Sequence, residues 1–212
     1  MIVDTDLEVP EKTISADKID NSLDGRLIAE ARSDPAAFAR LYRRHYDAVF
    51  RYCVHRLFER QTAEDVTSTV FLKVVKNFDR FRGSEQNFRN WLYKIATNAV
   101  NKHLRQTARR KRLLKAAAER SGCQNADCNA AADKSTEKLA LLKQAMLTLK
   151  PRYQTIITLR FFENLKLTEI AEMLGSSDGT VRSQLARALD KMRKKLKAAE
   201  TIQPPGDMKN ER

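Results

Sequence analysis

Apolar residues along this chain recur at spacings of three and four and almost nowhere alternate, the mark of amphipathic helices rather than half-buried strands. Phe38, Leu41, Tyr42, Val49 and Cys53 fall on one stripe, and Asp34 followed by Pro35 supplies an N-cap and a first-turn proline for the helix carrying it. Thr62 ahead of Ala63, Glu64 and Asp65 predicts the start of a second helix, with Val66, Val70, Val74 and Phe78 as its apolar face. Gly83 and Ser84 break that pattern. A third helix then places Phe88, Trp91, Leu92, Ile95 and Ala99 on one face, and Lys94, Asn98, Asn101, Arg105 and Arg109 along the opposite side.

From about Leu113 the periodicity fades. The stretch up to Thr136 is small and polar after Leu114 and has no face to bury, so residues 113–136 read as a flexible linker between two small helical domains. The expected organisation is all-α: a disordered leader over 1–22, a first domain over 23–112, the linker, a second domain over 137–197 and a disordered tail over 198–212. In the second domain Leu139, Leu142, Met146 and Leu149 share a stripe. Lys150 and Pro151 make a turn, and Ile156, Ile157, Leu159, Phe161 and Phe162 continue the apolar set. Two short helices should follow. In LTEIAEMLGSSDGTVRSQLARALDKMRKKL, Thr168 and Glu169 open one helix, Gly175 closes it, Ser176 and Ser177 form a tight turn, and the second helix begins near Asp178. This is a helix-turn-helix pattern: Ala171 permits close approach, Gly175 suits a left-handed turn, and Ile170, Leu174, Val181 and Leu185 supply the shared core. The second of these helices turns Thr180, Arg182, Ser183, Gln184 and Arg187 outward, side chains that bond base edges and phosphates.

Charge narrows the partners. The 212 residues carry 40 Lys and Arg against 27 Asp and Glu, a formal net charge of +13 that draws polyanions. Nucleic acid fits first and an anionic membrane surface second, but no apolar run approaches the roughly 20 residues of a spanning helix. The acidic opening MIVDTDLEVPEK does not resemble a signal peptide, so a cytoplasmic protein without membrane insertion is expected. Cys53, Cys123 and Cys128 form no CxxC pair and suit a reducing compartment, the latter two as free thiols in the linker rather than a metal site. His45, His55 and His103 are scattered and no DxD or HxH constellation appears, which argues against a nucleic-acid enzyme. No catalytic residue, metal, cofactor or small-molecule substrate is expected.

The third helix combines aromatic rings with a comb of cations, and residues 102–112 contain no acid. Such a surface suits a separated DNA strand, which needs stacking surfaces or pockets for unpaired bases and cations along its phosphates. Lys94, Arg105 and Arg109 supply charge, Asn98 offers a bond to a base or phosphate, and the loop DRFRGSEQ before the helix is placed to cradle an extruded base. Trp91 has two readings, core packing beside Leu92 and Ile95 or direct contact with a base.

Taken together, FARLYRRHYDAVFRYC, AEDVTSTVFLKVVKNFDRF and NFRNWLYKIATNAVNKHLR, followed after the linker by LKPRYQTIITLRFFENLKLTEIAEMLGSSDGTVRSQLARALDKMRKKL, resemble an extracytoplasmic-function sigma factor. The resemblance implies a promoter-specificity subunit, not itself an enzyme, whose partners are bacterial RNA polymerase core, promoter DNA and an anti-sigma factor. Its first domain would bind polymerase through Asp65, Val66 and Phe71 and melt the minus-ten element with Lys94, Asn98, Arg105 and Arg109. Its second domain would read the minus-thirty-five element. The chain departs from the family pattern at Ser68 and Thr69, where a glutamine and an acid are usual, and at Gln184, within a recognition helix that commonly reads Ser-Arg-Leu. The alternative is a stand-alone dimeric helix-turn-helix regulator that binds duplex DNA without polymerase.

Overall fold

The computed structural model describes residues 21–121 and 134–202, which form α-helices and contain no strand among the described residues. Helix α1 spans Asn21–Glu30 and α2 Pro35–Leu57. The Asp34 carboxylate accepts from the backbone N–H of Ala36 at 2.8 Å and of Ala37 at 3.1 Å, satisfying two donors that a helix start leaves open. Phe58, in the left-handed conformation with φ 57°, ends α2. Only Glu59 then separates it from α3, Arg60–Asn77, which begins ahead of the expected Thr62. The sharp left-handed corner leaves no room for a longer turn, and the Thr62 hydroxyl donates to the Glu59 carboxylate inside the first turn. A short 3₁₀ turn, Phe78–Arg80, leads through a loop to α4, Glu85–Ser121.

Helices α2, α3 and α4 bury the stripes their periodicity predicts: Leu41, Val49 and Cys53; Val70, Val74 and Phe78; Phe88, Leu92 and Ala99. Each large apolar side chain buried in this way contributes about 1.5–3 kcal/mol relative to exposure. Tyr52 is fully buried yet satisfied, its hydroxyl lying 2.8 Å from that of Thr97 on α4.

The second half consists of α5 (Lys134–Thr148), α6 (Pro151–Ile157), a wider π-type turn over Thr158–Phe162, α7 (Leu167–Leu174) and α8 (Asp178–Ile202). In the π turn the Glu163 N–H reaches back to the Thr158 carbonyl at 3.2 Å, enclosing one more residue than an α-turn. Phe161 and Phe162, expected in the core, are 53% and 41% exposed. The widened turn gives the interior to Leu159 and swings the two rings outward, where Phe162 stacks on His55 of α2 with centroids 4.0 Å apart.

Instead of lying apart, the two halves share an apolar cluster. Ile156, Leu159, Leu165, Ile170 and Met173 join the cluster that contains Leu41, Val70 and Leu92, while Met146, Leu149, Ile157, Ala188 and Met192 make a smaller second one. Helix α4 continues past Arg112 to Ser121, and α8, far from short, runs past residue 197 to Ile202. Residues 1–20, 122–133 and 203–212, which include Cys123, Cys128 and much of the expected leader, linker and tail, lie outside the described residues.

Cys53 is fully buried and burial pushes its thiol up to about 11. The thiolate is the reactive form. Brief treatment of the folded protein with iodoacetamide near neutral pH should therefore leave Cys53 unmodified by mass spectrometry, and the same treatment in denaturant should alkylate it.

Candidate nucleic-acid interface

One face of α4 is spent on the core, which leaves the opposite face for a partner. Lys94, Asn98, Arg105 and Arg109 all lie exposed along it. Trp91 sits at the border and combines both sequence readings: it is half-buried, its ring packs on Phe81 at 5.1 Å and Phe88 at 5.8 Å, and its remaining surface lines two depressions. The first, about 300 Å³, is walled by Lys73, Asn77, Arg80, Phe81, Ile95 and Asn98. An aromatic floor with two cations and two amides at the rim can take a planar ring and grip the phosphate attached to it.

The loop between α3 and α4 is held in shape by backbone contacts. The Arg82 guanidinium donates to the carbonyls of Asp79 and Phe81, and Arg32 of the α1–α2 turn donates to the Phe81 carbonyl at 3.0 Å. Gly83 has φ +156°, and a Cβ there would come within 2.8 Å of the Asn87 Cβ. Lys73, Asn77 and Arg80 were not singled out from sequence, because they precede the helix bearing the charge comb and become its neighbours only after the chain turns at this loop.

The helix-turn-helix is formed by α7 and α8. Glu169 closes the first turn of α7 by accepting from the Lys166 N–H at 2.7 Å, and Gly175 ends the helix in the left-handed conformation with φ 60°. The Ser177 hydroxyl accepts from the Thr180 N–H at 3.2 Å as α8 starts. Thr180, Arg182, Ser183 and Arg187 are exposed, Arg182 being paired with Asp178 at 2.9 Å. Gln184 stands at the edge of this surface, half-buried, with its carbonyl oxygen enclosed and unpaired among the described residues.

On α3 only part of the expected polymerase-contact trio reaches solvent. Asp65 is exposed, whereas Val66 and Phe71 are buried, Phe71 against the Tyr42 ring at 4.5 Å. The outer ridge beside Asp65 consists instead of Ser68, Thr69, Leu72 and Val75, the last two 62% and 54% exposed. The helical spacing of these residues from Asp65 was available in the sequence, but their apolar character disguised a surface position.

Polar groups from the two halves meet on a different side of α4. Arg89 pairs with Glu169 at 2.7 Å, the Asn90 amide donates to Glu172 at 3.1 Å, and the Tyr93 hydroxyl donates to Glu163 at 2.7 Å. Burial raises the Glu163 carboxyl above the usual carboxylate range, and burial, reinforced by Glu163, raises the Tyr93 phenol. Arg56, fully buried on α2, donates to Gln154 and, at 2.8 Å, to Asn101. Among the described residues there is no group of histidine, cysteine or acid side chains suited to a metal ion, and no helix long and apolar enough to cross a membrane.

Comparison with known proteins places these features in context. Residues 41–110 match the family model described as Sigma-70 region 2, and residues 139–192 match that described as Sigma-70, region 4. Over 166 residues the chain is 32% identical to the ECF RNA polymerase sigma factor BldN of Streptomyces coelicolor, an alignment covering 77% of this chain and 62% of that protein. It is 30% identical over 176 residues to the ECF RNA polymerase sigma factor SigW of Bacillus subtilis, covering 78% of this chain and 92% of that one. Thus it spans under two thirds of the Streptomyces relative and nearly all of the Bacillus one. Among solved structures, CnrH in complex with the cytosolic domain of CnrY aligns with a TM-score of 0.59 at 22% identity, covering 86% of this chain and 99% of that one. The sigma factor RpoE, in complex with the anti-sigma factor NepR from Bartonella quintana, aligns at 0.56 and 21%, covering 76% and 96%. At these identities the structural matches speak for the fold.

The loop geometry carries its own test. An alanine at position 83 meets Asn87 and adopts a strained backbone, which costs about 1–3 kcal/mol. Gly83→Ala should lower the stability read from a denaturant melt by that order, while Gly179→Ala, with open space around its Cβ position, should not be destabilised by a clash.

Proposed function

The chain belongs to the sigma-70 family as an extracytoplasmic-function sigma factor, and from that premise we propose how its two halves divide promoter recognition. It binds bacterial core RNA polymerase, directs it to promoters and leaves the chemistry of RNA synthesis to the polymerase. It acts in the cytoplasm and is subject to an anti-sigma partner, as the NepR and CnrY complexes of its structural neighbours suggest. The presence of both region 2 and region 4 disfavours a stand-alone dimeric regulator, which has no need of the first.

One observation carries the reading of the first half: the aromatic-floored depression beside Trp91 opens next to the acid-free cationic edge of α4. A base extruded from the minus-ten element enters the depression, Asn98 at its rim bonds the base or its phosphate, and Lys94, Arg105 and Arg109 follow the backbone of the opened strand. Polymerase docks on the outer ridge of α3, where Asp65 supplies charge and Leu72 and Val75 supply apolar surface. Val66 and Phe71 support that ridge from beneath. In the second half, Thr180, Arg182, Ser183 and Arg187 enter the major groove of the minus-thirty-five element, with Gln184 at the margin.

Capture of a strand is separable from mere binding. With Asn98→Ala, run-off transcription from a fully paired promoter should fall, and a template already mismatched across the minus-ten element should restore much of it, because unpairing and unstacking a base costs a few kcal/mol. Equal defects on both templates would remove Asn98 from strand capture. In the second half, Arg187→Ala should weaken binding of the polymerase complex to all upstream sequences alike and flatten the salt dependence by about one phosphate contact. A change of base preference instead would assign Arg187 to base readout.

A further inference from the structure

The contact between the halves falls on ground that the strand needs. The second depression beside Trp91, about 430 Å³, is lined from the first half by Arg80, Asn90 and Lys94 and from the second by Glu172 and Met173 of α7. Helix α7 thus forms one wall of the basic cleft that faces Trp91. It presents carboxylates there: Glu169 on Arg89 at 2.7 Å and Glu172 on the Asn90 amide at 3.1 Å. A carboxylate on a guanidinium and an amide makes the same kind of charge-assisted bonds that a phosphate would make.

A length argument points the same way. Promoter elements centred near minus ten and minus thirty-five lie roughly 20–25 base pairs apart, about 70–85 Å along a duplex at ~3.4 Å per base pair. In the closed chain α7 of the helix-turn-helix touches α4 directly, so the halves must separate before both elements are read together. The closing contact is also imperfect. Arg56 Nε, Arg89 Nε, Asn90 Oδ1 and Glu163 Oε1 are enclosed there without hydrogen-bond partners among the described residues, and the buried Arg56 cation has only amide oxygens as its printed acceptors. An interface with unmet polar groups is one that a better partner can displace.

We propose that α7 is an intramolecular stand-in for the promoter strand: Glu169 and Glu172 occupy the phosphate-binding side of the Trp91 cleft, so that closure of the chain and capture of the opened strand exclude one another. The inference rests on the strand reading of that cleft. Free factor is then held off single-stranded DNA by its own second half, and separation of the halves, as polymerase and the upstream element require, uncovers the cleft.

Two full-length variants test the competition, with a short fluorescent mixed-sequence single strand as probe and anisotropy as readout. In the first, Asn90→Cys and Glu172→Cys are joined by a short bis-maleimide with a cleavable disulfide, in a background carrying Cys123→Ser and Cys128→Ser. Joined protein should bind the strand at least about tenfold more weakly than the same protein after reductive cleavage, since apparent affinity scales with the open fraction. In the second, Glu169→Gln with Glu172→Gln should bind more tightly than the parent, and by more than Glu64→Gln with Asp190→Asn, which changes net charge equally away from α7. Gln at position 169 keeps the bond to the Lys166 N–H. Equal binding before and after cleavage, or failure of the reagent to bridge the pair, would overturn the competition alone. Absence of strand binding in every form, cleaved and neutralised proteins included, would overturn the strand reading of the cleft and the competition with it.

Discussion

The packing of Phe88 fixes nearly everything that this protein presents to others. Its ring meets His45 at 5.4 Å, Phe78 at 6.1 Å, Phe81 at 5.5 Å and Trp91 at 5.8 Å, joining α2, the end of α3, the following loop and α4 at one point. Edge-to-face pairs of this kind add about 0.5–1.5 kcal/mol each beyond area burial and prefer definite angles. They therefore orient as well as stabilise. Because Phe88 and Phe81 are anchored, Trp91 cannot sink fully into the core, and its remaining surface stays between two polar-rimmed depressions. The sequence question of whether Trp91 packs or binds thus has a mixed physical answer: packing is what holds the ring in reach of a base.

Most helices were legible because their burial follows a simple period. Val66, Val70, Val74 and Phe78 on α3 lie where the spacing puts them, and Gly175 adopts the left-handed turn that its lack of a side chain permits. Local exceptions arose where the backbone left the ideal helix. Phe161 and Phe162 extend an apolar run, but the π turn carries them to the surface. Glu59 rather than Thr62 precedes α3, since the left-handed Phe58 leaves a one-residue connection. Of the candidate site residues, those on α4 stand exposed as expected, whereas Val66 and Phe71 support the α3 surface from within and Gln184 is half withdrawn. The distinction lies in which side of a helix faces a neighbour. Periodicity defines faces, and tertiary packing decides how wide the buried face becomes.

The contact between the halves was not legible at all. Arg89 and Glu169 are 80 positions apart, and Tyr93 and Glu163 are 70 apart, and each is an ordinary charged or aromatic residue within its own helix. Nothing periodic links such pairs. A composition break near Leu113 suggests two separate bodies, while the fold brings Ile170 and Met173 into one apolar cluster with Leu92. Apolar burial there favours closure, and the raised Glu163 carboxyl and enclosed Arg56 cation oppose it. The association is a balance between those opposing effects.

The π turn at Thr158–Phe162 gives that balance a geometric origin. Residues in an α-helix advance by about 100° each, so one extra residue within a turn rotates all that follows by that angle. Without the additional residue, the segment that now brings Glu163 under Tyr93 and leads into α7 would face elsewhere. A single-codon deletion here would leave the composition almost untouched and the helices able to form, yet it would change how the halves are oriented. In evolutionary terms the wide turn is an indexing step, through which related chains can acquire or lose the folded-together arrangement without altering a single residue that reads DNA.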